Sequence, residues 1–131
     1  MTRLHEILYC SVLAPDLEPD AVGKIVGQAR ARNAAREISG LLVFDGQRFC
    51  QHIEGPQREL LSLMNAIGED RRHTDIRVVY EGTLDARRYQ RFDMGYADIE
   101  GPNTLSTMQS LDGAEALAHF LALRPRFDIN S

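Results

Sequence analysis

Gly40-Leu41-Leu42-Val43-Phe44-Asp45-Gly46-Gln47-Arg48-Phe49-Cys50-Gln51-His52-Ile53-Glu54 is the stretch that decides the fold. An Asp-Gly pair between two apolar runs is a strong hairpin signal, because a tight turn needs a positive φ that glycine supplies without steric cost. Residues 40–44 and 48–54 are therefore two neighbouring antiparallel strands. Side chains alternate along a strand, so Gln51 shares a face with Phe49 and Ile53 and should point into the core.

Working outward, residues 4–12 read as a strand with Ile7 and Tyr9 on one face and Leu8 and Cys10 on the other. Pro15 to Asp20 is turn-like, and Asp20 is the expected N-cap of a helix over 21–34. The buried stripe of that helix, Val22, Val26 and Ala29, continues into Asn33. Downstream of the hairpin, Gly55-Pro56 opens a second helix with the stripe Leu60, Leu63, Met64 and Ile67, and Gly68 is its expected stop. Strands over 76–81 and 92–97 complete the order β-α-β-β-α-β-β. The fold class is α+β: a ferredoxin-like sheet with two helices on one face. After Gly101-Pro102 a polar linker leads to one more amphipathic stripe, Ala114, Leu117, Ala118 and Leu121, which Pro125 ends. The expected division is a domain over 1–98, with a linker and C-terminal helical extension over 99–131. Two helices cover one face of such a sheet, yet both faces of the first strand are apolar. The C-terminal helix or a second subunit must cover the back.

A chain of 131 residues fits one domain. Its hydrophobic content of 44% and charged content of 26% are those of a soluble globular protein. A net charge of -4 argues against general affinity for nucleic acid. The N-terminal residues lack the apolar run of a signal peptide, which predicts a cytoplasmic protein without a membrane segment. Cys10 and Cys50 lie inside strand runs rather than at metal-ligand spacing, so they read as small buried residues and no metal site is expected.

Tyr9, Asn33 and Gln51 are hydrogen-bonding side chains at positions where the pattern calls for apolar ones. A buried polar group without a partner costs about 1–3 kcal/mol, so the three should satisfy each other or a polar ligand. Taken singly, each has a plainer reading: Tyr9 as a strand tyrosine bonded to backbone, Asn33 as a helix C-terminal residue, Met94 as core filling. Arg30, Arg32 and Arg36 suit the negative end of the first helix, and for Arg30 and Arg36 a phosphate contact is an equal alternative. His5, His52 and His119 show no ligand spacing and are given no role in the site.

Taken together, the series Tyr9-x-Ser11, Ala29-Arg30-x-x-Asn33, Ile38-Ser-Gly-Leu-Leu42, Phe49-x-Gln51-x-x-Glu54-Gly55-Pro56, Asp70-Arg-Arg-His73 and Arg88-Tyr89-x-x-Phe92-x-Met94 resembles the BLUF domain, the flavin-binding blue-light sensors, over residues 4–98. The resemblance implies that Tyr9, Gln51 and Met94 are photoactive. It implies that Tyr9, Ile25, Arg32, Asn33, Gln51, Asp70, Arg72 and His73 contact the cofactor, FAD or alternatively FMN, with the last three near its ribityl or phosphate end. Many family members carry a tryptophan two residues before the methionine; here that position is Phe92, and the chain has no tryptophan. The implied function is a photoreceptor rather than an enzyme: Tyr9 passes an electron and a proton through Gln51, and the rearranged hydrogen bonds signal to an effector protein in trans, with the sensor expected as a homo-oligomer. Two rival functions fit the fold. One is a flavin-free protein-interaction module; the other is an acylphosphatase-like hydrolase, for which the chain lacks a Gly-rich phosphate loop and a nucleophile–base pair.

Overall fold

In the computed structural model, residues 4–18, 21–89, 94–98, 105, 110–123 and 128–130 are described. The elements are β1 (Leu4–Leu13), α1 (Ala21–Ala35), β2 (Ser39–Phe44), β3 (Arg48–Pro56), α2 (Gln57–Glu69), β4 (His73–Leu84), β5 (Met94–Asp98), α3 (Gly113–Leu123) and β6 (Asp128–Asn130). They form one sheet in the order β4-β1-β3-β2-β5-β6. The first four strands pair antiparallel in the ferredoxin-like order. β5 then joins β2 in parallel and β6 joins β5 antiparallel.

The turn that organises the hairpin works through both of its signature residues. Gly46 takes φ +101°, and the Asp45 carboxylate accepts the backbone N–H groups of Gln47 and Arg48 at 2.9 and 2.7 Å. This sets Phe44 opposite Phe49 and Leu42 opposite Gln51. Pro56 precedes α2 with φ −59°, as expected of a helix entry. Gly68, however, does not stop the helix. It lies inside α2, which ends where Asp70 turns extended (φ −80°, ψ 114°) and donates its N–H to the Ile67 carbonyl. The expected N-cap, Asp20, and the expected stop, Pro125, lie outside the described residues.

β4 is twice as long as the six apolar-alternating residues 76–81 predict. It occupies the edge of the sheet, where polar residues on the outer side weaken the alternation that marks a strand. β6 was not anticipated; three residues carry no periodic signal.

Two cores flank the sheet. Ile7, Tyr9, Leu42, Phe49 and Ile53 face α1 and α2, packing on Val22, Ile25, Val26, Leu60, Leu63 and Ile67. Leu8, Cys10, Leu41, Val43 and Cys50 face the other way, where Ala116 and Phe120 of α3 close over them together with Leu105. The C-terminal helix thus covers the back. Cys10 and Cys50 are free thiols directly opposite each other on β1 and β3, with sulfurs 2.7 Å apart. The hydrogen bond with Cys10, then burial, pushes the Cys50 thiol up, which suits an unreactive core residue.

Candidate functional site

The helix side of β1 and β3 presents polar groups where the neighbouring strands present apolar ones. Tyr9 and Gln51 are Cα partners across the β1–β3 ladder. Both are buried, and the Tyr9 hydroxyl donates to the Gln51 side-chain oxygen, Oε1. Burial pushes the Tyr9 phenol well above its ordinary value, with Arg32 opposing that shift, so the group stays a protonated donor at neutral pH.

Asn33 is a buried residue of α1, the helix that packs over the same face of the sheet. Its backbone carbonyl accepts the N–H groups of Arg36 and Ile38 and so finishes the helix, which is the plainer of its two expected roles. Its side chain does something else: it is fully buried, and neither Oδ1 nor Nδ2 has a protein partner. Arg32 Nε is likewise buried and unpartnered, and burial lowers the Arg32 guanidinium from its usual value.

A cleft between α1, α2 and the sheet is lined by Tyr9, Ile25, Arg32, Gln51, Asp70, Arg72 and His73. These are seven of the residues named from sequence, drawn from β1, α1, β3, the segment after α2, and β4. At its mouth Arg72 is held by Asp70 through Nε and Nη2 and by Gln28 at 2.7 Å. The hydrogen bonds from Arg72 hold the Asp70 carboxyl below the ordinary range, and Asp70 in turn raises Arg72. His73 is buried against the Phe49 ring at 4.9 Å, with Nδ1 3.0 Å from Ser11 Oγ. Burial lowers its pKa, so it sits in the cleft as a neutral ring. Sequence reasoning missed Gln28, Ala29, Leu42 and Ile67 as cleft residues and Ser11 as the partner of His73. Ser11 did carry a signal, since it follows Ile7 and Tyr9 on an inward-facing strand position. Met94 sits on β5, which β2 separates from β3; its Cα pairs with Gly40, and its side chain lies outside the described residues.

The donor set fits a flavin. A carboxamide with a free acceptor and two free donors answers a ring edge that offers carbonyl oxygens beside one N–H, and a buried amide left unpaired would otherwise be costly. The structure therefore defines a ligand cleft on a ferredoxin-like sheet with a phenol–carboxamide pair in its floor; the unpartnered Asn33 amide, on the same helix as Ile25 and Arg32, is the one cofactor residue named from sequence that is not among its lining residues.

The family of sensors of blue-light using FAD, BLUF, matches residues 4–95, and the chain belongs to it. The blue light- and temperature-regulated antirepressor BluF of Escherichia coli (strain K12) is 29% identical over 96 residues, 73% of this chain and 24% of that protein. The chain thus spans about a quarter of that relative's length. Among solved structures, the dark state of BlrB, a BLUF protein, is similar with a TM-score of 0.67 at 26% identity, covering 94% of this chain and 86% of that one. Klebsiella pneumoniae BlrP1 with FMN and cyclic diGMP gives a TM-score of 0.66 at 30% identity, over 72% of this chain and 26% of that one. Among the described residues no helix is long and apolar enough to cross a membrane.

Proposed function

We propose that the protein is a blue-light receptor whose switch is the Tyr9–Gln51 hydrogen bond. The observation that carries this reading is that bond, buried in the floor of a cleft beneath α1, the helix that also carries the Asn33 amide with no protein partner. Asn33 would offer its donors and acceptor to the polar edge of the flavin, and Ile25 and Arg32, which line the cleft, would help to hold the ring. Asp70, Arg72 and His73 receive its ribityl or phosphate end. FAD is the family's flavin, and the FMN named with BlrP1 makes FMN the alternative.

Flavin, once bound, supplies a strong one-electron oxidant when it absorbs blue light. Tyr9 would give up one electron to that oxidant, and its phenolic proton would follow through the Gln51 carboxamide, which accepts at Oε1 and releases a proton from Nε2 to the reduced ring. Both return to Tyr9 when the charges recombine. Gln51 is left rotated or tautomerised, so that it presents a donor where it had presented an acceptor. No atom is consumed, which makes this a two-state switch rather than turnover. Met94, on β5, takes the role beside Gln51 that the family motif gives it. In this reading residues 1–98 are the sensor and 99–131 a linker and helical extension. The receptor is cytoplasmic and homo-oligomeric, and its output acts on an effector in trans. The antirepressor activity named for the Escherichia coli relative supports an output of that kind.

Difference spectra of the flavin-loaded protein test the proposal. Blue light should shift the flavin absorption reversibly to longer wavelength, because a stronger hydrogen bond to the ring carbonyl stabilises its excited state more than its ground state. A flavin that bleaches or does not shift overturns it.

A further inference from the structure

One residue past Gln51, the back of the sheet holds a second set of buried polar groups: Glu6, His52, Glu54 and Ser39 are each no more than 1% exposed. His52 occupies both of its ring nitrogens. Nε2 donates to Glu6 Oε1 at 2.8 Å, and Nδ1 lies 2.7 Å from the Tyr89 hydroxyl. A carboxylate only accepts, so Nε2 carries the proton, and in the neutral ring Nδ1 accepts from Tyr89. The His52 ring also meets two aromatic rings edge-on, Tyr89 at 5.4 Å and Phe120 of α3 at 5.6 Å.

The same segment is fastened a second time. Glu54 accepts the backbone N–H groups of Arg88 and Tyr89 at 2.8 Å each, and the Arg88 side chain returns to Glu6 at 3.1 Å. Burial by itself would raise the Glu6 carboxyl; the hydrogen bonds from His52 and Arg88 outweigh it and hold Glu6 below its ordinary value. The chain leaving β4 toward β5 is thus clamped onto β1 and β3, and α3 rests on the same imidazole. A paired polar cluster of this kind adds little stability over an apolar core, but it holds one arrangement against others.

Gly40 tightens the coupling. A Cβ there would lie 2.1 Å from the His52 carbonyl oxygen, so β2 and β3 run in close contact at this point, and Gly40 is also the Cα partner of Met94 on β5. A change in strand twist at Gln51 therefore reaches His52 through one peptide unit and is not absorbed by slack between the strands.

We propose that His52 is a positioning residue for the light response, carrying the state of Gln51 through the sheet to Tyr89 and Phe120 and so to the segment before β5 and to α3. The proposal rests on the photosensor reading above. Its test is amide hydrogen exchange of the flavin-loaded full chain, dark and lit, with absorption recorded on the same samples. In the wild-type protein, exchange across residues 113–123 should differ between the two states. Tyr89→Phe keeps the ring and removes one bond, and His52→Phe keeps the aromatic contact to Phe120 and removes both. Each should retain the spectral shift while the light-minus-dark difference in α3 falls at least threefold. A purely structural role would raise exchange equally in dark and light and leave the difference intact, and that outcome overturns the proposal. A wild-type protein that shifts its spectrum without any exchange difference in α3 overturns it too, and so does loss of the shift in Tyr89→Phe. Should His52→Phe not fold, Tyr89→Phe decides alone. Absence of the shift in the wild-type protein is distinct, since it removes the photosensor reading itself and the proposal with it.

Discussion

Gln51 and His52 are consecutive residues on one strand, yet the polar groups around them are satisfied in opposite ways. On the helix side, the buried Asn33 amide and Arg32 Nε have no protein partners. On the back, the carboxylates of Glu6 and Glu54 and both nitrogens of His52 are all bonded within the chain. Buried polar groups in native proteins are nearly always paired. An unpaired set therefore points to a missing ligand, whereas a fully paired set points to a joint whose geometry matters.

The largest expected effect comes from breaking the paired side. Glu54→Leu strands the donors of Ser39, Arg88 and Tyr89 in an apolar layer, and chemical denaturation should show a loss of about 3–5 kcal/mol. The matching change on the unpaired side should do the reverse in the flavin-free protein. Asn33→Leu removes an amide that has nothing to bond, so apoprotein stability should hold or rise by about 1 kcal/mol. Its flavin affinity, read by titration, should meanwhile weaken by about 1–3 kcal/mol. If both substitutions destabilise the apoprotein alike, the contrast between the faces is wrong.

Smaller still in energy are Tyr9→Phe and Gln51→Leu, which leave the cleft walls in place. Both should keep the yellow colour and lose the light-induced shift, and normal photocycling in Tyr9→Phe would remove Tyr9 from the switch.

The two faces should also separate by pH. His73, on the helix side, has a folded pKa below its ordinary 6.5, so on acidification the unfolded chain takes up the proton first. Its contribution to stability is complete above that value and is lost as pH falls through the folded one. Glu6, on the back, is depressed below 4.5, so its contribution persists to lower pH and is lost only beneath that. Unfolding midpoints measured from pH 7.5 to 3 should decline in two stages. His73→Phe should flatten the first stage and Glu6→Gln the second.

Periodicity made the helix side readable in advance. Gln51 stands out because Phe49 and Ile53 flank it at spacing two, and Asn33 because it extends a helical stripe. The α+β order followed from the same patterns. The back face was not readable, because the Glu6–His52 pair joins residues 46 positions apart and exists only once the β1–β3 register sets them together. His52 was accordingly given no role, although it is one of the most fully bonded side chains described. Glu54 stands in the Glu54-Gly55-Pro56 motif, yet nothing in the sequence signals that its carboxylate accepts the backbone N–H groups of residues 88 and 89. Gly68 misled for a local reason: a glycine near a helix end looks like a stop unless its φ is known.

The edge position of β4 has a consequence for behaviour at high concentration. Its twelve residues present a long row of open backbone groups that another chain could pair with. The strand is not flat, however: its pairing with β1 slips on either side of Tyr9 and Cys10, and Asp75 takes φ +51°. Arg77 and Glu81 add charge along it, while β6, at the opposite edge, is only three residues long. The irregularity lies in β4, which carries the extra residues of both shifts while β1 keeps an unbroken register with β3, and it makes β4 a poor template for fibril growth, so the register slips beside the site protect the molecule from its own edge.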